Sequence, residues 1–249
     1  MTWAKTWDNI LQGGPTRWKV DNIEVKKRAL ARIHEYMSMA SDSNNEASNN
    51  NKTRPLKILC PLAGDDLFVP TAWREGHDVT AIDLVPAAVG AMRQQFGGTE
   101  QDWIKSTTTE DSSSQDDSTS ATIVWKHKSG RATLVAGDMM QKRPEWNGTF
   151  DVIYDKDSFG ALPLELRPTY CQRLAEYCKS NQNAIVYTEV KHRSNGGEDS
   201  GGPPFHVEKE DLMAPTSFGT HFEHVASLGE VYPLNMPDMK QTGHILKRK

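Results

Sequence analysis

The sequence is short of several things, and each shortage excludes something. Cysteine occurs three times in 249 residues. So low and odd a count leaves out a disulfide framework and suits a reducing compartment, so a cytoplasmic location is expected. A basic excess is missing: 29 Lys and Arg stand against 33 Asp and Glu, a net charge of −4. That removes the broad positive field on which nucleic-acid binding rests. No apolar run approaches the ~18 residues of a membrane-spanning helix. The opening Met1-Thr2-Trp3-Ala4-Lys5-Thr6-Trp7-Asp8 has no apolar stretch of the secretory kind, so no signal peptide is expected. Metal-ligand spacing is absent too. Cys171 and Cys178 share a helix face with no accompanying ligands and read as core. Cys60 lies within a strand, and His192, His206, His221 and His224 have no ligand-like grouping.

Hydrophobic residues make up only 37% of the chain, and the reason is local. Two inserts, near 41–54 and 97–122, are dense in Ser, Asn, Thr, Asp and Glu. Neither buries enough apolar surface to offset the entropy of ordering, so both read as mobile surface segments. The rest reads as one domain spanning 1–249, expected to act as a monomer.

Outside the inserts, helical and strand patterns alternate. Val25, Ala29, Leu30, Ile33, Tyr36, Met37 and Ala40 recur at helical spacing, predicting an amphipathic helix over 23–40. Short apolar runs at 56–62, 78–84, 150–155 and 184–189 predict buried strands. Helices are predicted over 67–75, 86–96 and 164–179, and Ser129-Gly130 as a hairpin turn between two further strands. The series implies an α/β fold: a doubly wound, mostly parallel sheet with helices on both faces. In such sheets ligands bind beyond the carboxyl ends of the strands.

Four strand tips therefore carry the chemistry. Leu62-Ala63-Gly64-Asp65-Asp66 is a one-glycine turn that lets backbone approach a ligand. It is not the three-glycine dinucleotide turn, which counts against a nicotinamide cofactor. Asp83, 19 residues after Gly64 at the second strand's end, can accept both hydroxyls of a ribose or serve as a strand-end cap. Asp138 ends the third strand and can accept from an adenine amino group or make a turn. Asp155 ends the fourth. Together these tips favour a cofactor with a ribose, an adenine and a positive centre. Trp3 and Trp7 are one helical turn apart. With Trp18 they read either as core or as an aromatic lid over a cation. Gly201-Gly202-Pro203-Pro204-Phe205 is a stiff turn carrying an aromatic.

The matching pieces are the Trp3/Trp7 pair, Pro61-Leu62-Ala63-Gly64, Arg74 to Val79, Ile82-Asp83-Leu84, Phe150 to Asp155, Leu166-Arg167-Pro168 and Gly202-Pro203-Pro204-Phe205. In that order they resemble the thiopurine S-methyltransferase-like family of class I enzymes dependent on S-adenosylmethionine. Thr16-Arg17-Trp18 and the C-terminal Gly243 to Lys249 are most similar to its thiol/halide branch. The resemblance implies a seven-stranded Rossmann-like sheet and S-adenosylmethionine as cofactor, with S-adenosylhomocysteine as product and no metal. It implies that Trp3, Trp7 and Trp18 cover the cofactor and that Leu62 and Gly64 approach its amino-acid part. Asp83 and Leu84 would hold the ribose, Asp138 and Met139 would border the adenine, and Asp155 would lie near the methionine end. Lys156, Phe159 and Phe205 are the implied acceptor-binding residues. Lys156 stands where the thiopurine branch has arginine. It keeps the charge but loses the two-pronged fork, which argues against a thiopurine-type acceptor.

Methyl transfer from a sulfonium is an in-line displacement on an already activated reagent, so alignment and a dry site suffice. A thiol of pKa about 8.5 sheds its proton readily, and a halide has none. No catalytic base is therefore required, though Asp155 is the nearest carboxylate. The expected acceptor is a thiol, sulfide or halide. A thioether-containing acid, a thiopurine or a metalloid is the alternative, and a non-catalytic binding protein on this fold the alternative class.

Overall fold

In the computed structural model, residues 9–10, 12–14, 19–39, 54–108, 121–180, 184–193, 203–234 and 238–249 are described. Helix α1 spans Ile23–Met39 and turns Ala29, Leu30, Ile33 and Met37 inward. Strand β1 (Lys57–Pro61) is buried along all but its first residue, as befits a strand covered on both faces. Helix α2 (Phe68–Arg74) ends where Gly76 takes a φ of 98°, a conformation that only glycine adopts cheaply. Strand β2 (Asp78–Asp83) leads into α3 (Pro86–Gln95), whose proline occupies the first turn. Strands β3 (Trp103–Thr108), β4 (Thr122–His127), β5 (Ala132–Ala136) and β6 (Val152–Lys156) follow. The short α4 (Ser158–Ala161), α5 (Arg167–Tyr177), β7 (Ile185–Arg193), α6 (Lys209–Leu212), β8 (Phe222–Pro233) and β9 (Met239–Arg248) complete the chain. The predicted helix over 164–179 starts as a 3-10 turn, Leu164–Leu166. The α-helix proper begins at Arg167, because Pro168 is tolerated only in a first turn.

The sheet order is β3-β4-β5-β2-β1-β6-β7-β9-β8. The five central strands β5, β2, β1, β6 and β7 are parallel, and the flanking pairs are antiparallel. This is the doubly wound α/β sheet expected, with nine strands instead of seven. The seven from β5 to β8 form the expected core, and β3 with β4 extend its edge. That extension corrects the second insert: residues 103–108, placed by composition in a mobile segment, pair with β4 from Trp103↔His127 to Thr108↔Thr122. Only Trp103 of that strand is buried, so its polar face hides it from a composition argument. Residues 109–120 and the first insert from 41 to 53 lie outside the described residues. Among the described residues no helix is long and apolar enough to cross a membrane, and no group of three or more His, Cys, Asp or Glu is placed to hold a metal.

Side chains alternate between two cores. Ile58, Cys60, Phe68, Tyr154 and Tyr187 pack under α1 and α2. Leu59, Ile82, Ile153, Val186 and Leu246 pack on the opposite face with α5.

A histidine pair ties α1 to β2. The Leu56 N–H donates to His77 Nδ1 (3.1 Å), so the neutral ring carries its proton on Nε2 and donates it to His34 Nε2 (3.1 Å). Burial, followed by His34 and Arg131, pushes His77 down from 6.5 to about 4. The unfolded chain binds this proton at a higher pH than the folded one. The pair's stabilisation is therefore complete above about 6.5 and is lost as pH falls towards 4, costing about 3 kcal/mol at most. Asp155, raised to about 7 by burial, works in the opposite sense between the usual carboxylate range and about 7. The effect is thus read as a difference. His77→Asn, which keeps an acceptor for Leu56, is expected to flatten the fall in Tm between pH 6.5 and 4.5. An unchanged slope would mean that the pair does not couple to folding.

Candidate functional site

Beyond the carboxyl ends of β1, β2, β5 and β6 lies a cleft of about 530 Å³, within the range of small-molecule sites. Asp83 closes β2 and stands on its edge. Its Oδ2 accepts the Gly64 N–H and its Oδ1 the Val85 N–H, both at 2.9 Å. The carboxylate thus braces the turn after β1 against the start of α3. Each oxygen retains a second lone pair, and the residue lines the cleft. Burial pushes its pKa up against those two N–H bonds. Gly64 has a φ of 55°, so the turn needs a residue without a Cβ. Asp138 follows β5 and caps its own turn, Oδ1 accepting the Met140 N–H at 2.8 Å. Met139 and Met140 floor the cleft, and Leu84 edges it with half its surface exposed. Ile10 packs against the cluster of Val85 and Ala88 just after Leu84 in the chain.

A smaller polar chamber of about 50 Å³ adjoins the cleft across Leu62, Gly64 and Lys156, which line both. Its walls carry both signs of charge. Lys19 Nζ meets Asp65 at 2.8 Å, and the buried Lys26 Nζ meets Asp66 at 2.7 Å. Tyr154, stacked between Phe68 (3.6 Å) and Tyr187 (5.6 Å), lines it as well. The buried Tyr154 hydroxyl has no hydrogen-bond partner among the described residues. Burial keeps that phenol protonated, so it is a donor awaiting an acceptor.

The end of β6 divides its residues between the two faces. Lys156 lines both chambers, with Nζ 3.0 Å from Asp157. Asp157 lines the cleft in a left-handed conformation, φ 60°. It is buried and also meets Lys191 Nζ (3.4 Å) and Gln241 Nε2 (2.9 Å). Asp155 does not line the cleft. It lies on the opposite face, where its oxygens accept the Ser158 and Phe159 N–H groups (3.1 and 3.2 Å) and the Tyr170 hydroxyl (2.9 Å). Phe159 also lies off the cleft. It is fully buried, packing on Phe218 (5.2 Å) under the Arg167 guanidinium (4.4 Å). Phe205 is half-buried and its neighbour Pro204 makes the wall. The Phe205 N–H donates to the Gly160 carbonyl at 2.8 Å. Trp3, Trp7 and Trp18 lie outside the described residues.

The structure therefore gathers Leu62, Gly64, Asp83, Leu84, Asp138, Met139 and Lys156 at one site. It adds an apolar wall of Ala161, Leu162, Pro163, Leu166 and Pro204. In the sequence that wall was marked by the Pro203-Pro204 pair and by Leu166 of Leu166-Arg167-Pro168, while Ala161, Leu162 and Pro163 carried no signal. Chemically, carboxylates on the rim of an apolar cleft suit a nucleoside, and a mixed-charge chamber suits a zwitterion.

The sequence profile of the family described as thiopurine S-methyltransferase (TPMT) matches residues 44–241. A protein named thiopurine S-methyltransferase from Acinetobacter baylyi is 25% identical over 156 residues, 63% of this chain and 64% of that protein, so the match falls short of two thirds of its length. One of the same name from Psychrobacter cryohalolentis is 24% identical over 191 residues, 76% of this chain and 80% of that one. Among solved structures, a TehB-like SAM-dependent methyltransferase from Corynebacterium glutamicum superposes with a TM-score of 0.51 at 14% identity, covering 99% of this chain and 96% of that one. A 1,6-didemethyltoxoflavin-N1-methyltransferase from Burkholderia thailandensis gives 0.52 at 16% identity, with 100% and 92% covered. At these identities the structural likeness speaks to the fold, which is that of class I methyltransferases.

Proposed function

Because the chain belongs to the thiopurine S-methyltransferase family, we propose that it moves the methyl group of S-adenosylmethionine to a small soft nucleophile, a thiol, sulfide or halide. The observation that carries this reading is the pair of joined chambers, which match the two ends of that cofactor. The apolar cleft edged by Asp83 and Asp138 suits adenosine, and the chamber lined by Lys19, Asp65, Asp66 and Tyr154 suits a zwitterionic amino acid.

When bound, the cofactor supplies a methyl group already activated on a sulfonium. The chain's residues then have to bind, orient and exclude water. Asp83 accepts the ribose hydroxyls on the lone pairs its backbone bonds leave free. Asp138 and Met139 border the adenine. Lys156, shared by both chambers, draws an anionic acceptor towards their junction, while Leu162, Leu166 and Pro204 keep that end of the cleft dry. The reaction requires no base, and Asp155 has both oxygens engaged on the other face. Trp3, Trp7 and Trp18 cover the cofactor in this reading, a role that rests on the resemblance to the family alone. A thioether-containing acid or thiopurine acceptor is the second reading, favoured by the apolar wall.

Titration calorimetry with S-adenosylhomocysteine, with NAD as control, tests the reading. Micromolar one-to-one binding is expected, and no binding would overturn it. Given binding, Lys156→Met is expected to raise the KM of a thiolate or iodide roughly tenfold while the S-adenosylhomocysteine Kd stays within about twofold.

A further inference from the structure

We propose that Glu208 is a positioning residue that holds the acceptor wall in place by clamping two imidazoles, an inference that rests on the methyl-transfer reading. The wall in question is Pro204. Its segment is joined to α4 by the Phe205 N–H on the Gly160 carbonyl (2.8 Å). The approach is close: a Cβ at Gly160 would stand 3.3 Å from the Phe205 carbonyl oxygen. On its other side the segment is joined to β7. Val207 N–H donates to the Lys191 carbonyl, and Arg193 N–H donates to His206 Nδ1, both at 2.9 Å.

That second bond decides the rest. With Nδ1 accepting, the neutral His206 ring carries its proton on Nε2. It points that proton at Glu208 Oε1, 2.9 Å away. The other oxygen, Oε2, lies 3.2 Å from His192 Nε2 on β7. One carboxylate thus bridges an imidazole of the strand and an imidazole of the wall segment, with the rings 5.2 Å apart. The same tautomer leaves His206 Nε2 without a lone pair, so the cluster is a clamp and not a metal triad. Glu208 also begins α6, in a capping box with Asp211. Because β7 supplies Lys191 to Asp157 in the cleft, the clamp registers the wall against the strand that supports the Lys156–Asp157 pair. Displacing a wall by a fraction of an ångström weakens its packing on the bound acceptor, in the ground state and the transition state alike, without touching the nucleoside end.

Glu208→Ala is expected to raise the acceptor KM roughly tenfold while kcat and the S-adenosylhomocysteine Kd stay within about twofold. It should also speed amide exchange at Phe205 and Val207. Glu208→Gln, which keeps one acceptor oxygen, should fall between. Asp211→Ala removes the cap bond from the Glu208 N–H while sparing both Glu208–imidazole contacts, and should leave all of these at wild-type values; Glu208→Gln keeps an oxygen for the reciprocal cap bond from the Asp211 N–H. Wild-type KM and exchange in Glu208→Ala would overturn the proposal, as would the same losses in Asp211→Ala, which would trace them to the cap. If the wild-type chain bound no S-adenosylhomocysteine, the methyl-transfer reading would fall, and the exchange rates alone would decide whether the clamp exists.

Discussion

Asp83→Ala is expected to weaken S-adenosylhomocysteine binding by a hundredfold or more in calorimetric titration. The carboxylate has two tasks. It holds the Gly64 and Val85 N–H groups, which set the shape of the turn after β1, and its remaining lone pairs face the cleft. A hydrogen bond to a charged group contributes about 1.5–3 kcal/mol. Losing a pair to the ribose therefore removes about 3 kcal/mol or more, beyond a hundredfold in Kd. Asparagine recovers little, because its NH₂ would oppose one of the two backbone N–H donors. Asp83→Asn should thus stay within about tenfold of alanine. Near-ultraviolet dichroism of both variants checks that they are folded. Binding within about fivefold of wild type in a folded Asp83→Ala would place the nucleoside somewhere other than the tip of β2.

The largest effect on stability is expected at Asp157. It is buried, in contact with Lys156, Lys191 and Gln241. Burial alone would raise its pKa, but the two ammonium groups and the amide outweigh burial and hold the carboxyl below its usual range. Removing it takes from two buried lysines the carboxylate they both contact, which costs about 3–5 kcal/mol. For a chain of this size that is a fall in Tm of about 10 °C. A second contribution can be separated from the first. Asp157 has a φ of 60°, where a Cβ costs about 1–2 kcal/mol that glycine escapes and asparagine reduces by local hydrogen bonding. In denaturant unfolding the expected order of loss is Asn least, Gly next, Ala greatest. A loss in Asp157→Ala of under about 1 kcal/mol would show that Lys191, whose pKa burial already lowers, sheds its proton instead of staying charged.

Much of the site was legible because a parallel sheet places strand tips in a calculable position. Leu62, Gly64, Asp83, Asp138 and Met139 all stand just past the carboxyl end of a buried apolar run. The same rule fails at β6, where it gives Asp155 and Phe159 as lining residues. Successive side chains of a strand face opposite ways, so Asp155 and Lys156 cannot share a chamber. Which of the two lines the cleft depends on how the segments after the strands pack around it, and that is not a local property. Residues 103–108 escape a sequence reading for a related reason. One buried tryptophan in an exposed strand leaves almost no apolar signal, and the strand exists because β4 pairs with it.

What the sequence by itself determined was everything governed by short-range periodicity: the runs that become strands, the prolines and glycines that start and stop helices, and the order in which acidic tips meet a ligand. Only the tertiary structure decided how residues distant in the chain complete one another. Asp157 is partnered by Lys191 and Gln241, 34 and 84 residues away, and Pro204 meets Leu62 and Leu84 across the same cleft. Such contacts arise from the parity and pairing of strands. Those depend on the burial of the whole sheet, and no window of sequence contains them.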